Sequence, residues 1–422
     1  MSVLPTFLLP DNASFAADGR LLVAGVDLVE LAHEHGTPLF VYDEAHLRAR
    51  CREAVAAFDG RVSYATKAFL CKAMAALAHE EGMSLDVASS GELYVARAAG
   101  VPAERLVLHG NNKTVEDLSN ALDQGVGRIV VDSFDELDRL DQLVGEGRPA
   151  PKVLLRITPG VEAHTHHFVR TGQDDSKFGF THSTGAAAQA VKRAQASASV
   201  DLVGVHMHIG SQIFAVDTFQ KVIEVIAPMV KPLGLPELSI GGGLGVPYVE
   251  GESAPSIAAW AEVIHEAKER VGLDVQLTAE PGRAITAMAA ITLYTVGTIK
   301  ELPVIRTYVA VDGGMSDNPR QVLYGSGYET FLPRAAQADR GKRVTVVGMH
   351  CESGDRLVDG GLVPGDLAVG DILATPVTGA YGHSMGSNYN KVRRPAVVFV
   401  ADGQARVVVR RETHEDLLRC DL

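Results

Sequence analysis

From Val62 onward the chain alternates short β-branched runs with amphipathic stretches. The runs are Val62–Lys67, Ser84–Ser90, Leu106–Asn111, Arg128–Asp132, Lys152–Pro159, Leu202–Gly210, Leu238–Gly243 and Val275–Gly282, and each closes on polar residues or glycine. Short apolar runs bounded in this way read as strands buried on both faces. Among the first four runs, each gap holds one helix. Leu70, Met74, Leu77 and Ala78 make a helical apolar stripe. Ser89 and Ser90 can cap the next helix, which carries Leu93, Ala96 and Arg97, and Gly100 before Pro102 stops it. Eight such units predict a (β/α)8 TIM barrel, with a doubly wound open sheet as the alternative. Lys67, Asp86, His109, Asp132, Arg156, His208, Gly241–Gly243 and Glu280 all fall at the C-terminal ends of the runs. Barrel enzymes build their active sites on that rim, which favours the barrel.

After about Ile291 the texture changes. Thr292–Ile299, Arg343–Val347, Ala396–Val400 and Arg406–Arg410 are short, β-rich and separated by Gly, Pro and Asp. They predict a C-terminal antiparallel β domain, of sandwich or barrel type. Residues 1–35 also look like strands and turns and are expected to join it. The predicted division is a barrel over 36–290 and a β domain made of 1–35 and 291–422.

Composition narrows the function. The 422 residues, 46% hydrophobic, suffice for more than one domain. A formal net charge of −13 argues against nucleic acid as a partner. No uncharged apolar stretch reaches the roughly 18 residues that a membrane span needs, and no signal peptide is visible. Cys51, Cys71, Cys351 and Cys420 lack CxxC spacing, so they suggest neither a zinc site nor a disulfide framework. A cytoplasmic enzyme is expected.

Five motifs carry candidate chemistry. Lys67, in Tyr-Ala-Thr-Lys-Ala, ends a buried strand and suits Schiff-base chemistry, because desolvation lowers an amine's pKa; a salt-bridged lysine is the alternative. His206 and His208, at strand alternation, point to one face, so that one fills the barrel and the other reaches its rim. A third metal ligand is not close in sequence, and no metal site is expected. Gly241-Gly242-Gly243-Leu244-Gly245 lets backbone amides approach a phosphate, or is simply a turn. In Glu280-Pro281-Gly282-Arg283 the carboxylate can pair with a protonated ring nitrogen and the arginine with a substrate carboxylate, or the two can pair with each other. Cys351 in Cys-Glu-Ser-Gly-Asp can donate a proton, or is a structural cysteine.

Together and in this order, over nearly the whole chain, the motifs resemble the fold-type-III pyridoxal-phosphate (PLP) decarboxylases of the alanine racemase/ornithine decarboxylase group. His109–Lys113, Gly160–His166, Thr171–Gln173, Asp175–Gly179, Gly313–Arg320 and Ser387–Asn390 resemble its diaminopimelate branch. The resemblance implies decarboxylation of meso-2,6-diaminopimelate to L-lysine and CO2, the last step of lysine biosynthesis. It implies that Lys67 carries PLP, that His208 stacks on its ring, and that Glu280 keeps the ring nitrogen protonated. Ser211, Gly241, Gly242, Gly243, Pro281, Gly282, Arg283 and Tyr381 then hold its phosphate, with Asp86 near the cofactor. Arg283, Arg320, Tyr324, Glu352 and Tyr381 bind substrate, and Cys351 protonates the product. The same resemblance implies a homodimer whose β domain lends Cys351 and Glu352 to the partner's site. Met349-His350 before Cys351, His383 and Gly386 after Tyr381, and Ser326–Thr330 after Tyr324 depart from the family's pattern. The alternatives are a relative acting on D-lysine, D-ornithine or a secondary-metabolite amino acid, a non-catalytic PLP carrier, or a Schiff-base aldolase.

Overall fold

The computed structural model describes residues 3–161 and 172–422. Glu162–His166 and Thr171, read above as diaminopimelate-branch positions, lie outside the described residues. The chain forms two compact units: Arg50–Gly245 with Ala254–Ala284, and Met1–Ala49 with Val246–Ser253 and Ile285–Leu422.

The first unit is the barrel. Ser63–Ala65, Ser84–Val87, Leu106–Leu108, Arg128–Val131, Lys152–Thr158, Asp201–His206, Glu237–Ser239 and Gln276–Thr278 pair in that order, all parallel. A parallel bridge between Val62 and Ala279 joins the last strand to the first, and the Ser63 amide donates to the Ala279 carbonyl at 2.9 Å. This closure removes the edges that an open sheet would leave. The short strand Phe180–Thr181 adds to Lys152–Thr158 from outside the circuit.

Helices Lys72–Glu80, Ser90–Ala98, Val115–Gln124, Phe134–Gly145, Ala186–Ala196, Asp217–Val230 and Ile257–Val271 alternate with the strands. Local sequence sets their ends. Ser89 caps its helix by accepting from the Glu92 amide, and Thr114 and Asp117 form a reciprocal capping box, each cap worth about 1 kcal/mol. Met74, Ala75, Leu77 and Ala78 are buried along Lys72–Glu80, whereas Leu70 precedes that helix. Below the rim, the Lys113 ammonium is buried against the Glu136 carboxylate at 2.8 Å and donates to the Val130 carbonyl at 2.6 Å.

The second unit is built on a sheet ordered Arg356–Val363, Lys342–Val347, Arg306–Val311, Ala290–Leu302, Leu39–Asp43, Ala396–Ala401 and Gln404–Val409, with Ile372–Pro376 also on Ala290–Leu302. Two pairings, Arg306–Val311 with Lys342–Val347 and Leu39–Asp43 with Ala396–Ala401, are parallel. The sheet is therefore mixed, not antiparallel throughout. Leu39–Asp43, placed in the barrel by the division at residue 36, is one of its central strands. A buried five-residue apolar run reads the same in either sheet, and only its partners distinguish them. Near the N-terminus, strands Ala13–Phe15, Leu21–Val23 and Val26–Asp27 lead into a helix, Leu28–His35, where strands and turns were expected. Asp27 caps that helix, and Leu28 and Leu31 pack into one core with Leu39, Val41, Ile291, Leu293 and Ala396.

Candidate active site

The C-terminal ends of the barrel strands converge on Glu280. Its Oε2 lies 2.9 Å from His206 Nε2, and its Oε1 accepts from the Ser239 hydroxyl at 3.0 Å. His109 Nε2 is 3.4 Å from Oε1 and 3.7 Å from Asp86 Oδ1. The two imidazoles meet edge to face with centroids 5.0 Å apart. All these side chains are buried.

Such a group must decide where its charges sit. Burial pulls the His206 imidazole down to about 4, although Glu280 opposes the shift. His206 is therefore neutral at pH 7, and the 2.9 Å contact is Nε2–H donating to a carboxylate. Burial pushes Glu280 up, but His206 and His109 outweigh it, and the carboxyl ends well below the usual range. His109 loses by burial and gains more from Asp86 and Glu280, so its net shift is upward. Asp86 is raised, chiefly by burial. The result is an ionised, buried Glu280 that accepts from His206 and Ser239, with His109 close by.

Lys67 follows the first strand in the short 3-10 turn Thr66–Ala68, which the Thr66 hydroxyl ties to the Asp86 carbonyl at 2.8 Å. The lysine side chain is exposed, not buried with its strand, so desolvation is not what marks it. Position marks it instead: its charge acts on Asp86, His109 and His208. His208 stands just beyond Asp201–His206 and accepts at Nδ1 from the Gly242 amide at 3.2 Å; burial first, then Lys67, pull its pKa well down. As expected from alternation, His206 fills the barrel while His208 reaches the rim. Arg283 donates to the Ser211 hydroxyl at 3.1 Å.

The glycine run permits close passage of neighbouring loops. A Cβ on Gly241, Gly242 or Gly243 would sit 2.2–2.3 Å from the carbonyl oxygen of Met207, Glu280 or Gly210. Gly241 and Gly243 also have φ of +65° and +112°.

These residues fit pyridoxal phosphate by the chemistry of their donors. An amine, an ionised carboxylate, an imidazole, the Arg283–Ser211 pair and the glycine run share one rim. His109, His206 and Glu280 also offer ligand atoms within 4.8 Å of one another. The Glu280–His206 hydrogen bond commits two of those atoms to each other. Ser239 and His109 were not read as site residues. His109 was visible as a strand end, whereas Ser239 carries no signal beyond its place before the glycines.

Arg320, Tyr324, Cys351, Glu352 and Tyr381 belong to the other unit. Arg320 opens the short helix Arg320–Tyr324, and its guanidinium carbon lies 3.6 Å above the Tyr248 ring. Its Nε is buried without a hydrogen-bond partner among the described residues. Cys351 and Glu352 are exposed on a turn between Lys342–Val347 and Arg356–Val363. The Asp355 carboxylate closes that turn, accepting from the His350 amide at 2.9 Å and the Met315 amide at 2.7 Å. Tyr381 holds a left-handed backbone conformation, φ 67°. Among the described residues, no helix is long and apolar enough to cross a membrane.

Comparison with known proteins agrees with this chemistry. Residues 44–287 match the family model "Pyridoxal-dependent decarboxylase, pyridoxal binding domain". The chain is 46% identical to diaminopimelate decarboxylase of Mycobacterium tuberculosis, over 98% of this chain and 97% of that one. It is 47% identical to the enzyme of that name from Bacillus subtilis, over 96% and 95%. The crystal structure of the M. jannaschii diaminopimelate decarboxylase with L-lysine superposes with a TM-score of 0.89 at 32% identity, covering 98% of both chains. An ionised carboxylate and a strand-end lysine on a barrel rim, with likeness of this extent, settle the lineage: the chain belongs to the pyridoxal-dependent decarboxylase family.

Proposed function

We propose that this chain decarboxylates meso-2,6-diaminopimelate to L-lysine and CO2, with the roles set out here residue by residue. The observation that carries the reading is the buried, ionised Glu280 on the same barrel rim as the strand-end Lys67. Pyridoxal phosphate, when bound, supplies an electron sink for the pair left behind as the α-carboxylate departs as CO2.

Lys67 would hold the cofactor through its amine. Glu280 would keep a proton on the ring nitrogen, its own charge favoured by His206 and His109. His208 would help hold the cofactor ring. Ser211, Gly241, Gly242, Gly243, the 280–283 segment and Tyr381 hold the phosphate, and Asp86 faces the same space. The Cys351 thiol then delivers a proton to the α-carbon.

Substrate choice rests on the distal end. Arg283, Arg320, Tyr324 and Tyr381 bind the substrate. A buried guanidinium nitrogen on Arg320 with no hydrogen-bond partner among the described residues suits a carboxylate, and Glu352 suits the distal ammonium. A substrate lacking the distal carboxylate leaves Arg320 desolvated and unmatched, which penalises it strongly. The relatives bear the name diaminopimelate decarboxylase, which agrees with that preference.

The active unit in this reading is a homodimer in which Cys351 and Glu352 complete the partner's site. All four cysteines are thiols, in keeping with a cytoplasmic enzyme. The test is a panel of amino acids assayed for CO2 and amine product. meso-Diaminopimelate is expected to exceed L-lysine, L-ornithine and L-arginine in kcat/KM by about a hundredfold or more. Higher efficiency with D-lysine or D-ornithine overturns the substrate assignment.

A further inference from the structure

We infer that His350 is a positioning residue for the Cys351–Glu352 turn, pinning it simultaneously to the 313–318 loop and to the 387–391 segment. The inference rests on the proposed role of Cys351 but concerns a residue that this role does not use.

The turn's own closure comes from Asp355, which holds backbone amides on the side of Met315. It leaves the Cys351 end to other contacts. His350 is buried, although Met349 before it and Cys351 after it are exposed. Its ring uses both nitrogens. Nε2 lies 2.8 Å from Ser316 Oγ, and Nδ1 lies 3.1 Å from Asn390 Oδ1. Asn390 Oδ1 only accepts, so Nδ1 carries a proton, while Nε2 shares its hydrogen bond with a Ser316 hydroxyl that also reaches Asp317 Oδ1 at 3.3 Å. The same Oδ1 accepts from the Cys351 amide at 3.4 Å. One amide oxygen thus receives both the His350 ring and the backbone amide of Cys351, the residue proposed to donate the proton.

The other end of the bridge is equally fixed. The Ser387 amide donates to the Ser316 carbonyl at 2.9 Å, and Tyr389 packs its ring on His350 with centroids 5.3 Å apart. Asn390 takes a left-handed conformation, φ 51° and ψ 24°, which asparagine tolerates better than most residues. A Cβ on Gly386 would fall 3.2 Å from the Ser316 carbonyl oxygen. Two of the sequence departures, His350 and Gly386, therefore both meet Ser316, one at its hydroxyl and one at its carbonyl.

The pin matters because a proton donor must be held to within a fraction of an ångström. His350→Phe keeps an aromatic ring against Tyr389 and removes both hydrogen bonds. His350→Gln restores a donor and an acceptor. The experiment compares the holoenzymes by amide hydrogen exchange at residues 349–355, by the absorption of bound cofactor, and by kcat and KM. In His350→Phe, exchange at Cys351 is expected to rise about tenfold while the rest of its sheet keeps parental rates. kcat is expected to fall on the order of tenfold to a hundredfold, the size associated with a misplaced catalytic group, with the cofactor spectrum unchanged. His350→Gln is expected to recover most of both.

Asn390→Ala, which cuts the bridge at an exposed residue, supplies the second measurement if His350→Phe folds poorly, and the same local rise is expected. Parental exchange at Cys351 in either variant, or a rise spread evenly over the sheet, overturns the pin. Cys351→Ala is assayed alongside. If it turns over normally, the proposed role of Cys351 fails, while the exchange data still decide whether His350 positions the turn.

Discussion

His206 and Glu280 are joined by a 2.9 Å hydrogen bond inside the barrel, where both are more than nine-tenths buried. His206 favours the ionised carboxylate, while Glu280 opposes the burial that keeps His206 neutral. Glu280 left alone in that space would be driven neutral by desolvation, and a neutral acid cannot hold a proton on a ring nitrogen by charge. His206 donates to the carboxylate and, together with His109, holds its pKa well below the ordinary value.

A pH profile reads this coupling. Glu280 functions ionised and its pKa is held well below the ordinary value, so it is ionised at and below neutral pH. In His206→Leu the donor is gone and burial acts unopposed on that oxygen. The Glu280 pKa is then expected to rise, moving the acid limb of kcat/KM upward by about one pH unit or more. An acid limb at the parental position, in a variant that still binds cofactor, counts against the coupling.

Lys67→Ala is expected to abolish covalent attachment of pyridoxal phosphate and to lower turnover on the order of a thousandfold or more. Borohydride reduction of the parent followed by peptide mapping gives the direct check. A pyridoxyl label on Lys113 or another lysine sinks the assignment.

Asp317 gives a separate stability prediction. It is buried, accepts from the Tyr294 hydroxyl at 2.8 Å and the Gly314 amide at 3.0 Å, and makes no ion pair among the described residues. Burial pushes its carboxyl up to about 7, against hydrogen bonds that lower it. The unfolded value is near 4, so the folded pKa is the higher one. The stability linked to this group is therefore full below about pH 4 and is lost as pH rises through about 7. Asp317→Asn removes that dependence. Urea unfolding at pH 5 and pH 8 is expected to show the variant gaining on the parent, by up to a few kcal/mol at pH 8. A difference between the two proteins that stays constant with pH refutes the shift.

The legible part of this molecule was whatever a strand ends on. Lys67, His208 and Glu280 stand at the ends of apolar runs, and a barrel collects such ends on one rim whatever its loops do. Leu39–Asp43 was illegible for the complementary reason. Its pattern says buried strand, and its partners, Ala290–Leu302 and Ala396–Ala401, lie more than 240 residues away in sequence. Ser239 and the His350 bridge were hidden differently. A serine before a glycine run or a histidine before a cysteine has no periodicity. Its meaning comes from a partner, Glu280 or Asn390, brought near only by folding.

Assembly supplies the last prediction. The lysine, histidines and glutamate lie in the barrel unit, and Cys351 and Glu352 lie in the β unit. If the active unit is an isologous dimer, each site takes its barrel residues from one chain and its Cys351 from the other. Lys67→Ala and Cys351→Ala are then inactive for defects in different chains of one site. Mixing the two and allowing subunits to exchange produces heterodimers with one site carrying both defects and one carrying neither. Random exchange makes heterodimers of roughly half the population, each with one intact site of two, so roughly a quarter of parental activity is expected to return. A site built within one chain predicts none, because every chain in the mixture carries a defect in its own site. Exchange confirmed by mass spectrometry with activity remaining at the level of the separate variants places Cys351 in the site of its own chain.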